Sequence, residues 1–237
     1  MTDPFYGNPP AGDWTGPPAP PPVPMVPVAP ARIDGLRTAG TAAMVLLAVV
    51  AAISVADLGL TPSAVQDPAG AVAAIELVVL LVQVLAILGT AAAFMTWLFI
   101  AMKNLQGWRI RLKWGPGWAI GAWFIPFANL IIPVMVVNEA AQGSASTPDV
   151  RLAPQRASTG LIGAWWATLL LGSCVTNLAS RQTFATDQGA YAMGYQTPGT
   201  LLYVTAAVLG ILVIRHITGL QERRHAAMAA MWQQRPY

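Results

Sequence analysis

The sequence has little of what soluble domains and most enzymes are built from. Charged residues make up 10% of its 237 residues, against roughly a quarter in ordinary globular chains. It has one cysteine, Cys174, so an intrachain disulfide is excluded, and a lone thiol does not form a metal site. It has two histidines and no HExxH, Gly-x-Ser-x-Gly or P-loop motif. We therefore expect no enzymatic activity, no cofactor and no bound metal.

Long apolar runs stand where charges are missing. Apolar residues make up 55% of the chain. No Asp, Glu, Lys or Arg occurs in five runs, residues 38–56, 77–102, 114–138, 157–180 and 188–214. Each run is close to or longer than the roughly 20 residues that an α-helix needs to cross the hydrocarbon core of a bilayer. The pattern predicts an all-α, polytopic membrane helical bundle.

Residues 115–138 differ from the other runs because Pro126 and Pro133 interrupt them, with Asn129 between. Each proline leaves a backbone carbonyl without its helical donor, which is costly in lipid, and Asn129 can donate to such a carbonyl. If all five runs cross, the 13 Lys and Arg residues divide almost evenly between the two sides. If this run enters and leaves on one side, all of them except Arg181 become cytoplasmic, as the positive-inside rule requires.

The topology favoured by this charge count has four transmembrane helices plus a proline-broken re-entrant or interfacial helical segment. Both termini are then cytoplasmic, in a multi-pass protein of the cell membrane. A straight crossing by residues 115–138 is the alternative, because transmembrane helices tolerate proline.

Composition divides the chain into three regions. Residues 1–31 hold more than half of the 20 prolines, including PPAPPPVP at 17–24, and are predicted to be a disordered, proline-rich cytoplasmic tail. Such a tail either binds a proline-binding groove or acts as a solvated spacer. Residues 32–225 are predicted to form the transmembrane domain, and residues 226–237 a short C-terminal cytoplasmic tail.

Residues 108–114 alternate bulky apolar and basic side chains. Aromatic rings favour the headgroup layer, and basic groups favour anionic cytoplasmic lipid. We expect these residues to form a lipid-interface anchor: Trp108, Arg109, Arg111, Lys113 and Trp114. Three basic residues beside lipid make a poor footprint for nucleic acid, so no nucleic-acid partner is expected.

Residues 97–139 carry a pattern known from one family. Trp97 and Asn104 close the second helix, and PGWAIGAWFIPFANLIIPVMVVNE follows at 116–139. This resembles a bacterial, actinobacteria-rich family of four-helix integral membrane proteins of unknown function with the motif PGWAxxxWFxPxxNLxxP. The matching residues and the acid that follows are the predicted functional positions: Trp97, Asn104, Trp118, Trp123, Phe124, Pro126, Asn129, Leu130, Pro133 and Glu139. Members of the family carry an arginine where this chain has Ile100, and Lys103 is the candidate to replace it.

The resemblance implies a fold and a membrane location but no reaction. We expect a non-enzymatic interaction, scaffold or accessory module. The alternative is a small-solute or ion transporter or channel built around residues 115–138, because broken helices can form such sites. The expected partners are a bilayer with anionic headgroups, a protein that binds the proline-rich tail, and further copies of the chain.

Overall fold

The chain is helical almost throughout the part that a computed structural model of the protein describes, residues 31–66, 71–146, 156–185 and 189–233. Its α-helices are α1 (Ile33–Gln66), α2 (Ala71–Gly107), α3 (Trp118–Gly121), α4 (Ile132–Ala145), α5 (Thr159–Ala185) and α6 (Gly189–Gln233), and a 3₁₀ turn spans Ala128–Leu130. No β-strand occurs within those ranges. The prediction of an all-α protein is confirmed.

Four of these helices are long and apolar enough to cross a membrane. The apolar stretches are Ile33–Leu58 in α1, Ala74–Gly107 in α2, Thr159–Leu178 in α5 and Thr197–Ala230 in α6. Large apolar side chains face outward along much of α2, and Leu85 is 69% exposed. A helix that is apolar all round needs lipid or other apolar surface around it. The number of membrane-capable helices agrees with the prediction.

The backbones of the four long helices neighbour one another in the order α2, α1, α6, α5. Helix α1 contacts both α2 and α6, and α6 also contacts α5, while side chains join α2 to α5 and to α6. Gly40 allows α1 to approach its neighbours closely, because a Cβ there would lie 3.1 Å from Trp97 Cδ1 and 3.2 Å from Ile214 Cγ2. Both of those side chains are fully buried. The core therefore includes this close contact of α1 with α2 and α6.

The connection between α2 and α5 folds back on itself, and we call residues 108–146 the hairpin. Its Trp123 reaches Phe94 of α2, with the ring centroids 6.0 Å apart. Helix α4 then returns to Leu105, whose side chain packs against Gly143. Phe94 and Leu105 are about 16 Å apart along α2 at the usual rise per residue. The hairpin thus enters and leaves at one end of the bundle and does not run its full length. Its re-entrant placement in a membrane stays a prediction.

The two prolines of the hairpin act differently. Pro126 lies in the irregular apex, next to Phe127, whose φ of 63° is uncommon for a residue other than glycine. Pro133 lies in the first turn of α4, where a backbone N–H would have no helical acceptor in any case. The expectation that Pro133 interrupts a helix is wrong, because α4 begins at Ile132.

Two predicted regions fall at the edges of the described chain. Residues 1–30, nearly all of the predicted proline-rich tail, lie outside the described residues. At the other end, α6 continues to Gln233. It therefore extends into residues 226–237, the segment predicted as a C-terminal tail, of which residues 234–237 are also outside the described part.

Candidate functional site

The two ends of the hairpin meet at Arg224 of α6. The guanidinium lies over the ring of Trp108, 4.9 Å from its centroid. Its Nη1 donates to the carbonyl oxygen of Gly143 at 3.1 Å and to that of Ser146 at 2.5 Å. Arg224 is only 5% exposed, so these carbonyls and the ring replace part of the hydration that a buried cation loses. One side chain therefore joins both ends of the hairpin to α6.

The residues predicted to contact the lipid interface separate into two groups. The exposed or half-exposed ones are Arg109, Arg111, Lys113 and Trp114. Trp108 differs from the expectation, since it is 8% exposed. Its ring packs inside the protein against Arg224 and not against lipid. For the other four residues, lipid contact stays a prediction.

Glu139 of α4 binds the entrance of the hairpin. Its Oε1 accepts the backbone N–H of Lys113, and its Oε2 accepts the backbone N–H of Trp114 at 2.8 Å. Hydrogen bonds to an ionised carboxylate are among the stronger ones in proteins. Glu139, which was singled out from the sequence, therefore has a structural role in fixing residues 113–114 against α4.

A buried amide network connects α2, α4 and α6. Asn104 Nδ2 donates to Gln221 Oε1 at 3.0 Å. Gln221 Nε2 in turn donates to the carbonyl of Ala101 at 3.1 Å and to Ser144 Oγ at 3.0 Å. On its other side, Asn104 Oδ1 accepts the backbone N–H of Arg32 at 2.9 Å, just before α1 begins. The side chains of Asn104, Ser144 and Gln221 are almost fully buried, so the network ties four helices together at one point.

Sequence reasoning identified Asn104 but missed its partners. Gln221 and Arg224 lie in the last apolar helix, after the motif-bearing segment. A signal was nevertheless present, because Thr218, Gln221 and Arg224 recur every three residues and so share one face of α6. Thr218 Oγ1 accepts the indole N–H of Trp97 at 3.0 Å. This polar face of α6 thus binds both Trp97 and Asn104, the two residues that close α2 in the sequence pattern.

An aromatic cluster joins α2, the hairpin and α5. Its members are Phe94, Trp97, Trp123, Trp165 and Trp166, with neighbouring ring centroids between 5.3 and 6.0 Å apart. The rings meet in tilted or edge-to-face geometry, the arrangement that aromatic pairs prefer. Trp97 and Trp123 were predicted positions. Trp165 and Trp166 were missed, because they lie outside the recognised pattern.

Four further pattern residues lie at the exposed apex of the hairpin: Phe124, Pro126, Asn129 and Leu130. Trp118 is also exposed but lies in α3, where its ring packs against Trp114. Trp166 Nε1 donates to the Leu130 carbonyl at 2.8 Å, so an indole from α5 satisfies a carbonyl of the broken backbone. Asn129 was expected to do this, but its side chain is exposed and bonds to no residue within the described ranges.

Ile100, where the recognised pattern predicts an arginine, is a packing residue here. It is half-buried against the core, and a Cβ on Gly35 of α1 would lie 3.8 Å from its Cδ1. Lys103 is exposed, with its ammonium 5.8 Å from the centroid of the Phe99 ring. Whether Lys103 takes the role of that arginine is not tested by these contacts, and it stays a prediction.

A cleft of about 390 Å³ opens beside Glu139. Lys113, Trp114, Asn138, Glu139, Gln142 and Thr159 are among its lining residues. Asn138 Oδ1 is buried and accepts no hydrogen bond within the described chain. In the same part of the chain, no three His, Cys, Asp or Glu residues lie close enough to hold a metal ion. The cleft is thus an open recess in which these polar side chains lie beside apolar surface from Trp114 and Met135.

Four membrane-capable helices in the described part of the chain, with the hairpin packed against α2, α5 and α6, define a helical protein of the membrane-embedded class. The family model of a domain of unknown function, DUF4328, matches residues 62–219. The chain belongs to this family, whose match includes the whole hairpin. No curated protein matches the chain, and no solved structure does. The PGWAxxxWFxPxxNLxxP motif and the actinobacterial distribution stay predictions.

Proposed function

We propose that the chain is a non-enzymatic accessory module of the cell membrane that holds partner proteins at its cytoplasmic surface. The observation that carries this proposal is that the polar groups of the hairpin bind one another and α6. Glu139 accepts two backbone N–H groups of the hairpin, Gln221 donates to Ser144, and Arg224 donates to the carbonyls of Gly143 and Ser146. A hairpin cross-linked in this way is suited to be a rigid platform, because moving it would break several buried hydrogen bonds together.

The alternative, a small-solute or ion transporter or channel, requires polar groups that remain free for the solute. Broken helices serve in transport when their freed backbone groups face the substrate. Here the Leu130 carbonyl is already bound by Trp166, and Glu139 is bound by residues 113–114. Purified protein in proteoliposomes should therefore show the same flux as empty liposomes across panels of ions and small solutes. Flux that is lost in Asn129→Ala or Glu139→Gln would favour transport instead.

The partner-binding part of the proposal is the proline-rich tail, residues 1–31. Tail deletion should abolish co-purification of a specific cytoplasmic protein, while membrane insertion survives. A matched control keeps the length of the tail and replaces its prolines by serine, which removes polyproline II structure but not the spacer. Loss of the partner in both variants supports recognition of the proline-rich segment. Unchanged co-purification in both variants contradicts the proposal.

The proposed topology places both termini and both ends of the hairpin in the cytoplasm. Single cysteines at positions 113, 129 and 150, in a chain whose Cys174 is replaced by serine, can be labelled from each side with a membrane-impermeant thiol reagent. Positions 113 and 150 should both react from the cytoplasmic side. If they react from opposite sides, residues 115–138 cross the membrane and the topology is wrong.

A further inference from the structure

Three basic side chains at the entrance of the hairpin have no anionic partner within the described chain. Arg109, Arg111 and Lys113 are exposed, and no carboxylate oxygen of a described residue lies within 4.0 Å of their charged groups. Glu139 binds this segment through backbone N–H groups, so its one negative charge leaves the segment with net positive charge. Exposed charges of one sign attract a partner of the opposite sign.

Two tryptophan rings lie beside one of these basic groups. The rings of Trp114 and Trp118 meet edge to face, with their centroids 5.1 Å apart and their planes at 73°. Trp118 is exposed and Trp114 is half-buried, and the Lys113 ammonium lies 5.6 Å from the centroid of the Trp114 ring. Aromatic surfaces bind proline-rich segments, because a preformed polyproline II helix loses little entropy on binding. We call the two tryptophans, together with Arg109, Arg111 and Lys113, the basic-aromatic surface.

The proline-rich tail ends close to this surface. The backbone N–H of Arg32, directly after the tail, donates to Asn104 Oδ1 at 2.9 Å. The backbone N–H of Trp108 donates to the carbonyl of the same asparagine at 2.9 Å, so Trp108 lies one helical turn further along. Six residues then lead to Trp114, and they span at most about 20 Å. Trp114 therefore lies within roughly 30 Å of the end of the tail.

The tail has the length and the charge to occupy the basic-aromatic surface. Its run PPAPPPVP at 17–24 would extend from about 22 Å to about 43 Å away from Ala31 as a polyproline II helix. That range includes the distance to Trp114. Residues 1–30 contain Asp3 and Asp13 and no Lys or Arg. The side-chain charge of the tail is therefore opposite to that of the surface.

We propose that the proline-rich tail docks on the basic-aromatic surface of the same chain, with its prolines against the two tryptophan rings and its aspartates toward the three basic residues. Covalent attachment gives the tail an effective concentration in the millimolar range. An intrinsic Kd below about 1 mM therefore keeps the tail docked more than half of the time. Anionic lipid is the other candidate for this surface, and the tail is favoured because it is attached within reach and supplies prolines as well as negative charge.

The contact rests on the proposed function, which places the tail and both ends of the hairpin in the cytoplasm, and it adds regulation to that function. A tail that is docked on its own chain is not available to a partner protein. The docked state is therefore autoinhibitory, and a partner must compete with the basic-aromatic surface for the proline-rich segment.

Hydroxyl-radical footprinting with mass spectrometry measures the exposure of each aromatic side chain in the purified full chain. Removal of residues 1–30 should increase the oxidation rate of Trp118 at least about twofold, because a side chain covered more than half of the time at least doubles its exposure when it is freed. Oxidation of Phe124, which is 73% exposed and lies outside the surface, should not change. An unchanged rate at Trp118, or an equal rise at Phe124, overturns the proposal.

A second variant keeps the length of the tail and replaces the prolines of residues 17–24 by serine. It should show the same rise at Trp118 as the deletion, and retained protection contradicts recognition of the prolines. A synthetic peptide of residues 1–30 should bind the shortened chain and restore the protection. Trp118→Ala should weaken that binding at least about threefold, whereas Phe124→Ala should leave it unchanged. Equal effects of the two substitutions contradict the site.

The two lysines of the chain provide a matched test of charge. Both are exposed, but Lys103 lies on α2 with its ammonium 5.8 Å from the centroid of the Phe99 ring. Lys113→Gln should weaken peptide binding about twofold to fivefold, the range of exposed ion pairs, and Lys103→Gln should weaken it less. Equal losses would show a general attraction between the peptide and a basic protein, and would contradict docking on this surface.

Footprinting in lipid nanodiscs that contain phosphatidylglycerol distinguishes the tail from anionic lipid. Deletion of the tail should still expose Trp118 there. If Trp118 is protected equally with and without the tail, lipid covers the surface and the proposal is wrong. These measurements use the chain alone, whereas the tail-deletion test of the proposed function follows a partner protein, so each can fail without the other.

Discussion

Replacement of Gln221 by leucine tests the buried amide network most directly. The side chain is fully buried, and leucine has a similar volume, so no large cavity is created. Loss of the Gln221 amide leaves Asn104 Nδ2 buried without an acceptor. Ser144 Oγ is less affected, because it still donates to the Ala140 carbonyl at 2.6 Å. An unsatisfied buried donor costs about 1–3 kcal/mol, and hydrogen bonds within membrane proteins average about 0.6 kcal/mol. We therefore expect Gln221→Leu to lower the free energy of unfolding by about 1–2 kcal/mol.

The measurement is unfolding by SDS in mixed detergent micelles, followed by circular dichroism. Gln106→Leu is the control, because Gln106 is an exposed glutamine of α2 and should change the stability by less than about 0.5 kcal/mol. The double variant Asn104→Leu, Gln221→Leu removes both partners and should cost less than the sum of the single changes, by about 1 kcal/mol. Additive costs, or a cost for Gln221→Leu equal to that of the control, would refute the assignment of a coupled network.

Two further substitutions test the packing and the backbone of the hairpin. Gly143→Ala places a Cβ 2.8 Å from Leu105 Cδ1 and should destabilise the protein by about 1–3 kcal/mol in the same unfolding assay. Gly160→Ala is the control, because no atom lies within 4 Å of the new Cβ, and it should leave stability unchanged or slightly higher. Similar losses of stability at both positions would contradict the close contact between Gly143 and Leu105. Trp166→Phe removes the donor to the Leu130 carbonyl and should increase amide hydrogen exchange at the apex of the hairpin; unchanged exchange there would show that this bond does not hold the apex.

The number of membrane-capable helices could be predicted from the sequence because it follows from composition. Runs without charge predict helices of membrane-spanning length, whereas the side of the membrane that each end of the hairpin faces stays a prediction from the distribution of basic residues. The prolines marked where the helical backbone breaks. They did not show how it breaks, because a proline starts a helix as readily as it ends one. Pro133 starts α4, whereas Pro126 lies in the irregular apex.

Partners within the site could not be predicted, because they depend on which helices become neighbours. Trp97 and Asn104 were recognised from the pattern, but their hydrogen-bond partners Thr218 and Gln221 lie more than a hundred residues later. The same distance in sequence hides the pairing of Trp108 with Arg224, which is why Trp108 was expected at the lipid surface. The sequence thus shows which individual residues are unusual. It does not show which residues of other helices they contact, because that depends on which helices pack together.

That packing order explains why the hairpin needs so many specific contacts. Helices α2 and α5 are not backbone neighbours in that order, and lipid is as apolar as their side chains, so hydrophobic burial does not drive them together within a bilayer. Ring contacts and hydrogen bonds must do so instead. The rings of Phe94, Trp123 and Trp165 connect α2, the hairpin and α5, and all lie within the residues that match the family. Gln221 and Arg224 lie beyond the end of that match at residue 219. The aromatic contacts between α2 and α5 therefore lie within the matched residues of the family domain. The hydrogen bonds of Gln221 and Arg224 to the hairpin stabilise the same arrangement from outside those residues.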